Sequence, residues 1–286
     1  MTQLGIDIGG TTVSLGLVRD GSLIKKVCLP SFAPDATKQQ TLDYLASHIA
    51  PLLEGASGRG GSAEGIAGIG FGVPSVVDVE NGIVYNASNI PSWDEVPLKD
   101  FFQKRFGIPV AVNNDSNCFA LGAAHKAGYT AKVVAGITLG TGTGVGVVVD
   151  GRLLCGPNCG VGEIGAAPYL DADYESYCSK KFFENRGWNG KAAFDQAQSG
   201  NSEAIALFQE FGRHLGEFIA LVLYAYDADC IILGGGLSGS FGLFKDAMES
   251  SLRARFIYPE SLKSLRILAM PQEEVALLGA AMLSDI

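Results

Sequence analysis

The sequence has few charges, no concentration of basic residues and no long apolar run. Charged residues make up 18% of its 286 residues, and the formal net charge is −9. An acidic chain without a block of Lys and Arg argues against sequence-independent nucleic-acid binding. No apolar run is long enough to span a membrane, and the N-terminus has neither the basic nor the apolar region of a secretory leader. We therefore expect a cytoplasmic protein that has neither nucleic acid nor a membrane as a partner.

Cysteine and histidine are also scarce. The six cysteines are scattered, and only Cys155 and Cys159 are close neighbours in the sequence. Since no secretory leader is present, we interpret the cysteines as reduced thiols rather than as a disulfide framework. The three histidines, His48, His125 and His214, lie in helical segments outside every motif described below. Structural roles are expected for all three.

Glycine, in contrast, is abundant, with 38 residues, and the first glycine-rich motif lies near the start of the chain. An apolar strand leads through Asp7 into a turn of four residues, Gly9, Gly10, Thr11 and Thr12. Glycine lets backbone N–H groups approach an anion closely, and the threonines add hydroxyl donors, so the turn suits phosphate. Asp7 is placed to meet the magnesium ion that accompanies a nucleotide. An ordinary glycine-rich hairpin is equally compatible with this turn alone.

The motif is repeated in the second half of the chain. Residues 136–140 align with residues 5–9, and the second turn consists of Gly140, Thr141, Gly142 and Thr143. Asp7 falls on Thr138, so only the first copy has the carboxylate. Each copy then runs through an alternating strand to an Asp-Gly hairpin signal, at 20–21 and at 150–151. We infer an internal duplication whose two turns face one nucleotide from opposite sides. Chance similarity between two hairpins is the alternative, and the match over the whole unit argues against it.

Strand and helix patterns follow each other along the whole chain. An apolar run predicts a buried strand at residues 66–73, and a helix is predicted at 174–184. Such a mixture in two similar halves favours an α/β fold. The length suits two domains of ordinary size. We place a smaller N-terminal domain at residues 1–115 plus 272–286, and a larger C-terminal domain at residues 116–271.

Eight short motifs occur in order along the chain. They are DIGGTT at Asp7–Thr12, GVPSVVD at Gly72–Asp78, NNDSN at Asn113–Asn117, GTGTG at Gly140–Gly144, GEIG at Gly162–Gly165, ESYCS at Glu175–Ser179, GGG at Gly234–Gly236 and ALLGAA at Ala276–Ala281. Each motif alone is weak, but the ordered set covers essentially the whole length and resembles the ROK family, named for repressors, open reading frames and kinases. The resemblance implies a two-domain actin-like ATPase or hexokinase fold, with a duplicated ribonuclease H-like architecture and a cleft between the domains.

The resemblance also implies roles for the motifs. It implies ATP with Mg²⁺, two phosphate-binding turns, and adenosine contacts at Gly234, Gly235 and Gly236. It further implies that Asp115 is the general base for a sugar hydroxyl. A helix cap is the competing explanation for Asp115. Phosphoryl transfer needs an acceptor for the hydroxyl proton, and a helix N-terminus favours the ionised carboxylate, so we prefer catalysis over capping.

Carboxylates and amides suit a ring of sugar hydroxyls, because each hydroxyl both donates and accepts. Our sugar ligands are Ser75, Asn89, Asn114, Asp115, Glu163 and Glu175. Glu163 and Glu175 by themselves are compatible with solvated surface acids, and a carboxylate pair also occurs in glycoside hydrolases. Their places in matched motifs favour sugar binding, and a hydrolase has no use for two phosphate turns. Trp93 is compatible both with stacking on a sugar and with anchoring its loop.

One departure from the family pattern concerns zinc. Many ROK members continue GEIG with a histidine and then a cysteine cluster that holds a structural zinc ion. Here Ala166 stands at the histidine position, residues 167–174 contain no cysteine, and Cys178 would be one ligand where four are needed. We predict no zinc site. The missing histidine also removes a sugar contact, and the zinc-free pattern looks most like a glucokinase or broad hexokinase branch.

These observations predict an ATP-dependent hexose kinase that phosphorylates the 6-hydroxyl of glucose or a related hexose. N-acetylglucosamine, N-acetylmannosamine and fructose are alternative substrates. ROK regulators carry a helix-turn-helix ahead of the first turn, and only six residues precede Asp7, so a sugar-responsive regulator is disfavoured. A dehydrogenase is also disfavoured, because the G-x-G-x-x-G match at residues 234–239 comes late in the chain. An actin-like structural ATPase would leave Glu163 and Glu175 without a purpose. A homodimer is implied by the resemblance alone.

Overall fold

The structure is a computed structural model that describes residues 1–56, 65–87, 90–128, 132–156, 159–270 and 272–285. The chain divides into two compact units. The first consists of Met1–Gly128, Arg152–Val161 and Glu273–Ile286, and the second of Tyr129–Gly151 and Gly162–Gln272. The functional division at residue 115 that the sequence predicts stays a prediction. Within the described part of the chain, no helix combines the length and the apolarity that crossing a bilayer requires.

Strands and helices alternate along both units. The strands are β1 (Thr2–Ile8), β2 (Thr12–Arg19), β3 (Ser22–Pro30), β4 (Ile66–Val73), β5 (Val76–Asp78), β6 (Ile83–Tyr85), β7 (Glu95–Pro97), β8 (Val110–Asn114), β9 (Val133–Leu139), β10 (Thr143–Val149), β11 (Arg152–Leu153), β12 (Pro168–Tyr169), β13 (Ala172–Asp173), β14 (Cys230–Gly234) and β15 (Arg266–Ala269). The helices are α1 (Lys38–Ala56), α2 (Leu98–Phe106), α3 (Asp115–Lys126), α4 (Tyr174–Cys178), α5 (Lys180–Glu184), α6 (Gly190–Gln198), α7 (Ser202–Tyr226), α8 (Phe241–Arg255) and α9 (Gln272–Met282).

The main sheets of the two units repeat one topology. In the first unit the strand order is β3-β2-β1-β4-β8, with β1 antiparallel to β2 and parallel to β4, and β4 parallel to β8. In the second unit β10, β9, β14 and β15 lie side by side in that order, with the same sequence of one antiparallel and two parallel pairings. The predicted duplication therefore extends from the two turns to the whole sheet.

The strand register supports the alignment of the two glycine-rich turns. Ile8 pairs with Val13 across the first turn, and Leu139 pairs with Thr143 across the second, so the second turn is one residue shorter. The hairpins that follow also match. Asp20 and Gly21 have φ of 50° and 73°, and the pair at 150–151 has 49° and 77°. Two consecutive positive φ angles are the geometry of the type I′ turn that an Asp-Gly pair predicts.

One predicted helix is wrong in its extent. The sequence predicts a single helix at residues 174–184, but the structure has two short helices, α4 and α5. Ser179 separates them in an extended conformation, with φ of −124° and ψ of −173°. Its hydroxyl oxygen accepts the N–H of Lys181 at 3.2 Å and so caps α5. Because the buried side chain of Ser179 can supply that cap, a second helix begins here and the first does not continue.

The helix α9 completes the first unit by packing closely on α3 and on the sheet. A Cβ atom on Gly122 of α3 would lie 2.0 Å from the carbonyl oxygen of Val275, and one on Gly279 of α9 would lie 1.7 Å from that of Cys118. The two helices therefore contact each other backbone to backbone. This close packing explains the small residues of the ALLGAA motif at Ala276–Ala281.

Candidate active site

The first glycine-rich turn is closed by its own backbone and braced by a residue outside the motif. The N–H of Gly9 donates to the carbonyl of Thr12 at 2.8 Å. Ser31 holds the turn from the side, because its hydroxyl donates to the carbonyl of Gly9 at 2.9 Å and its N–H donates to that of Thr11 at 3.0 Å. Gly10, Thr11 and Thr12 are exposed. Sequence reasoning missed Ser31, since only the pairing of β2 with β3 brings it beside the turn.

The second turn has the same closure and a different set of supports. The N–H of Gly140 donates to the carbonyl of Gly142 at 3.0 Å, and the N–H of Lys180 donates to the carbonyl of Gly140 at 2.9 Å. The carboxylate of Glu175 accepts the N–H of Thr143 at 3.1 Å. The hydroxyl of Thr143 is buried and has no hydrogen-bond partner among the described residues. Buried polar groups are normally satisfied, so this hydroxyl is one that a ligand or water would complete.

The parallel strands of the first unit bring two predicted site carboxylates to one edge of the sheet. Asp7 on β1 pairs with Gly72 on β4, and Gly72 pairs with Asn113 on β8. Asp115 follows two residues after Asn113, at the start of α3. Burial raises the pKa of the Cys118 thiol well above its ordinary value, and the charges of Asp7 and Asp115 raise it further. The two carboxylates therefore lie close to the same buried thiol, at the carboxyl ends of parallel strands, where α/β proteins bind ligands.

The helix cap of α3 does not depend on Asp115 alone. Asn114 is the N-cap residue, and its side-chain oxygen accepts the N–H of Ser116 at 2.8 Å. One oxygen of Asp115 accepts the same N–H at 2.8 Å. The amide nitrogen of Asn114 donates to the carbonyl of Ser75 at 3.2 Å. Capping is thus shared between two side chains, so α3 retains an N-cap in Asn114 when Asp115 is replaced.

The other asparagines of the NNDSN motif form a buried network. Asn117 donates through its side-chain nitrogen to the side-chain oxygen of Asn113 at 2.9 Å, and the thiol of Cys159 donates to the same oxygen at 3.0 Å. That oxygen also accepts the backbone N–H of Asn114 at 2.8 Å. Asn113 and Asn117 are each 2% exposed. The network fixes the junction of β8 and α3, and it therefore positions Asp115. Sequence reasoning found no role for Cys159.

The structure gives different information on the predicted sugar ligands Ser75 and Asn89 and on Trp93, whose role the sequence leaves open. The hydroxyl of Ser75 donates to the carbonyl of Tyr85, so it already has a structural partner. Asn89 lies outside the described residues. Trp93 is only 1% exposed, and its ring N–H donates to the hydroxyl of Thr41 at 2.8 Å. This burial makes Trp93 an anchor of its loop rather than a surface for stacking.

The two predicted glutamates of the second unit lie near each other. Glu163 begins a short 3₁₀ helix after Gly162, which has φ of 95° and whose Cβ, if present, would lie 1.7 Å from the carbonyl oxygen of Val145. Glu163 as a whole residue is exposed, but its carboxyl group is partly surrounded by protein. This partial burial, together with the charge of Glu175, raises the pKa of Glu163. Glu175 is bound to Lys181, whose amine lies 2.5 Å from its Oε1. The pair is therefore unequal, with only Glu175 held in this ion pair.

The Gly234–Gly236 segment lies beside the second turn. Gly234 pairs with Thr138 in the sheet. Gly235 has φ of 86°, and a Cβ there would lie 2.2 Å from the carbonyl oxygen of Leu139. The segment thus passes the end of β9 where the turn begins, and only glycine permits that approach. This position fits the predicted contact with the nucleoside of a bound nucleotide.

The residues present fit a magnesium ion better than a protein-held metal centre. Among the described residues, no group of three or more His, Cys, Asp or Glu side chains is placed to hold a metal. Mg²⁺ that travels with a nucleotide needs only one or two carboxylates, because phosphates and waters supply the other ligands. Asp7 is a half-buried carboxylate next to the first turn, and its role as the magnesium ligand stays a prediction. The absence of zinc stays a prediction.

Aromatic side chains pack together in the segment that follows the GEIG motif. The rings of Tyr169 and Tyr174 stack with their centroids 4.1 Å apart, and the ring of Tyr177 lies 4.7 Å from that of His214. The Tyr169 hydroxyl is 3.0 Å from Nδ1 of His214. Burial is the main cause that lowers the pKa of His214. His214 therefore has the structural role expected from the sequence.

Known proteins with similar sequences and structures define the family. The model described as ROK family matches residues 3–285. A glucokinase of Thermotoga maritima is 30% identical over 312 aligned residues, which cover 97% of this chain and 95% of that protein. An N-acetyl-D-glucosamine kinase of Shigella boydii is 29% identical over 266 residues, or 82% of this chain and 84% of that protein. The crystal structure of a ROK family glucokinase from Streptomyces griseus in complex with glucose and AMPPNP is 28% identical, has a TM-score of 0.80 and covers 99% of each chain.

Because the family model spans nearly the whole chain, the protein belongs to the ROK family. The likeness to the Streptomyces griseus structure also confirms the actin-like ATPase fold that the motifs predicted. The roles of the individual site residues stay predictions.

Proposed function

We propose that this chain is an ATP-dependent sugar kinase that transfers the γ-phosphoryl group of ATP to the 6-hydroxyl of glucose or a related hexose, with Asp115 as the general base. The sugar-kinase class is supported by relatives that are similar over most of the chain, a glucokinase and an N-acetylglucosamine kinase. The observation that carries the finer proposal is the place of Asp115. It follows β8 at the sheet edge where Asp7 and the first turn also lie.

Each motif has a part in this reaction. The turns at Gly9–Thr12 and Gly140–Thr143 would hold the phosphates of ATP through backbone N–H groups and hydroxyls. Residues Gly234–Gly236 would contact the adenosine. Asp7 would hold Mg²⁺, which neutralises phosphate charge when it is bound. Asp115 would accept the proton of the attacking sugar hydroxyl, a role that requires a carboxylate within hydrogen-bond reach of that hydroxyl.

The glutamate pair supports a polyhydroxylated acceptor. The raised pKa of Glu163 means that its ionised form lacks stabilisation in the structure as it stands. Sugar hydroxyls would supply that stabilisation by donating to the carboxylate. Glu175 retains acceptor capacity after bonding Thr143 and Lys181, since a carboxylate has about four lone-pair positions. Ser75, Asn89 and Asn114 are proposed as further sugar ligands.

Glucose is our first choice of substrate because the sequence resembles the zinc-free glucokinase branch. N-acetylhexosamines and fructose remain alternatives, and Ala166 at the histidine position keeps the choice open. The homodimer and the cytoplasmic location expected from the sequence stay predictions.

The test is turnover by the purified protein with ATP and Mg²⁺ over a panel of hexoses: glucose, mannose, glucosamine, N-acetylglucosamine, N-acetylmannosamine and fructose. A coupled assay measures ADP release, and 6-deoxyglucose should give none. We expect Asp115→Asn to lower kcat by about 10²- to 10⁴-fold, the usual contribution of a general base, while ATP still binds. Asp100→Asn, which removes an exposed carboxylate paired with Lys104 in the same unit, is the matched control and should keep full activity.

Two results would contradict the proposal. Turnover of no sugar in the panel would remove the kinase assignment, and sugar-dependent binding to DNA would then favour the regulator. Full activity of Asp115→Asn would remove the role of Asp115 while leaving the kinase class in place.

A further inference from the structure

The second glycine-rich turn has a carboxylate packed directly against it. Oε2 of Glu175 accepts the N–H of Thr143 at 3.1 Å, and a Cβ on Gly142 would lie 2.4 Å from the same oxygen. These two residues belong to the turn that the proposed function assigns to the phosphates of ATP. A negative charge in this position repels a bound polyphosphate, so the turn as described has an electrostatic conflict with its ligand.

A lysine lies where it can remove that conflict. The amine of Lys181 is 2.5 Å from Oε1 of Glu175, the oxygen that does not bind the turn. The hydrogen bond from Lys181 to Glu175 raises the pKa of the lysine, and the charges of Asp173 and Glu184 act in the same direction. The lysine is thus held in its cationic form beside three carboxylates.

The backbone anchors this lysine to the turn. Lys180 donates its N–H to the carbonyl of Gly140 at 2.9 Å, and the hydroxyl of Ser179 caps the N–H of Lys181 at 3.2 Å. The start of α5 is therefore tied to the first residue of the turn. The side chain of Lys181 returns from α5 to Glu175 and closes a small ring of contacts around the turn.

We propose that Lys181 is a positioning residue for nucleotide binding: it neutralises Glu175 next to the second phosphate turn and so allows a nucleoside polyphosphate to bind there. This inference rests on the proposed function and assigns Lys181 to the phosphate part of the ligand. It predicts a defect that grows with the number of phosphates and is absent for the uncharged nucleoside.

The experiment measures binding of MgATP, MgADP and adenosine by calorimetry, without sugar. For Lys181→Met we expect the Kd of MgATP to rise by about 10-fold or more, as when one partner of a charge pair is removed, and that of adenosine by less than about 2-fold. Lys263→Met is the matched control. It removes a lysine that lies 2.7 Å from Glu260 in the same unit, just before β15, and its MgATP affinity should not change.

A double variant separates charge from shape. Lys181→Met with Glu175→Gln should bind MgATP within about 3-fold of the unchanged protein, because the glutamine oxygen still accepts the Thr143 N–H without a charge. Lys181→Arg should also restore binding, since it keeps the cation. Circular dichroism of each variant verifies folding.

Several outcomes would overturn the inference. They are unchanged MgATP binding by Lys181→Met, an equal loss of adenosine binding, and failure of the double variant to recover. If the unchanged protein binds no MgATP at all, the proposed function fails instead, and the two failures are therefore distinguishable.

Discussion

Substitution of Gly122 by alanine tests the close packing that positions α3, the helix that begins at Asp115. A Cβ at this position would lie 2.0 Å from the carbonyl oxygen of Val275 and 2.8 Å from the N–H nitrogen of Gly279. Ordinary contact begins at 3.4 Å, so the new methyl group would be more than 1 Å too close to the backbone of α9. Backbone atoms cannot rotate away as a side chain can. Helices α3 and α9 must therefore move apart.

The expected cost follows from two opposing effects. Overpacking costs about 1–3 kcal/mol, and a backbone obstacle favours the upper end or beyond. Alanine in place of glycine in a helix recovers about 1 kcal/mol. We expect Gly122→Ala to lower the free energy of unfolding of the first unit by about 2–3 kcal/mol. Because α3 begins at Asp115, we expect kcat to fall by a larger factor than the factor by which the Kd of ATP rises.

Urea unfolding followed by Trp93 fluorescence measures this effect, since Trp93 is buried in the first unit. Replacing Trp188, the other tryptophan, by phenylalanine restricts the signal to that unit. Gly55→Ala in α1 is the matched control. Apart from its own helix backbone and chain neighbours, no atom of the described residues lies within 4 Å of its added Cβ, so it should be neutral or stabilising by up to about 1 kcal/mol. If Gly122→Ala unfolds at the same urea concentration as the parent, the backbone contact between α3 and α9 is wrong.

Two further predictions concern buried and partly buried side chains. Trp93→Phe removes the hydrogen bond to Thr41 and part of a core ring, so it should destabilise the protein by about 2 kcal/mol and leave the hexose KM unchanged. Because this variant lacks the fluorescent reporter, its urea unfolding is followed by circular dichroism. A large rise in that KM would restore the stacking role. Glu163 has a folded-state pKa above its ordinary value of 4.5, so its contribution to stability is present below that pH and is lost as the pH rises through the folded-state pKa. Glu163→Gln should therefore melt at a higher temperature than the parent at pH 7 and lose this advantage at pH 4, and an equal difference at both values would contradict the raised pKa.

The sequence predicted the parts of the site that have a local signature. Glycines next to strands marked both turns, and the register of the sheets supports the alignment of Asp7 with Thr138. The order of the motifs also placed Asp115 after a short strand, where the structure has it. Such features need only a few consecutive residues, because turn geometry and strand ends are local properties.

The supports of the site have no such signature. Ser31 reaches the first turn through the pairing of two strands, and Cys159 reaches Asn113 from a distant segment. Lys181 meets Glu175 only because Ser179 divides a predicted helix into two. Each of these contacts depends on tertiary structure that a pattern of residue types does not specify. For the same reason the contact of Glu175 with the second glycine-rich turn was not predicted.

The packing of α9 has a consequence for synthesis on the ribosome. Gly5 of β1 and Gly70 of β4 lie so close to α9 that a Cβ on either would lie about 2 Å from its backbone, at 2.1 Å and 1.8 Å. The part of the first sheet on which α9 packs therefore stays uncovered until α9 has been translated, although the strands of that sheet emerge first. The second unit ends at Gln272. Domains usually complete folding in the order of their translation, whereas here the first unit can pack its last helix only after the whole second unit has been synthesised.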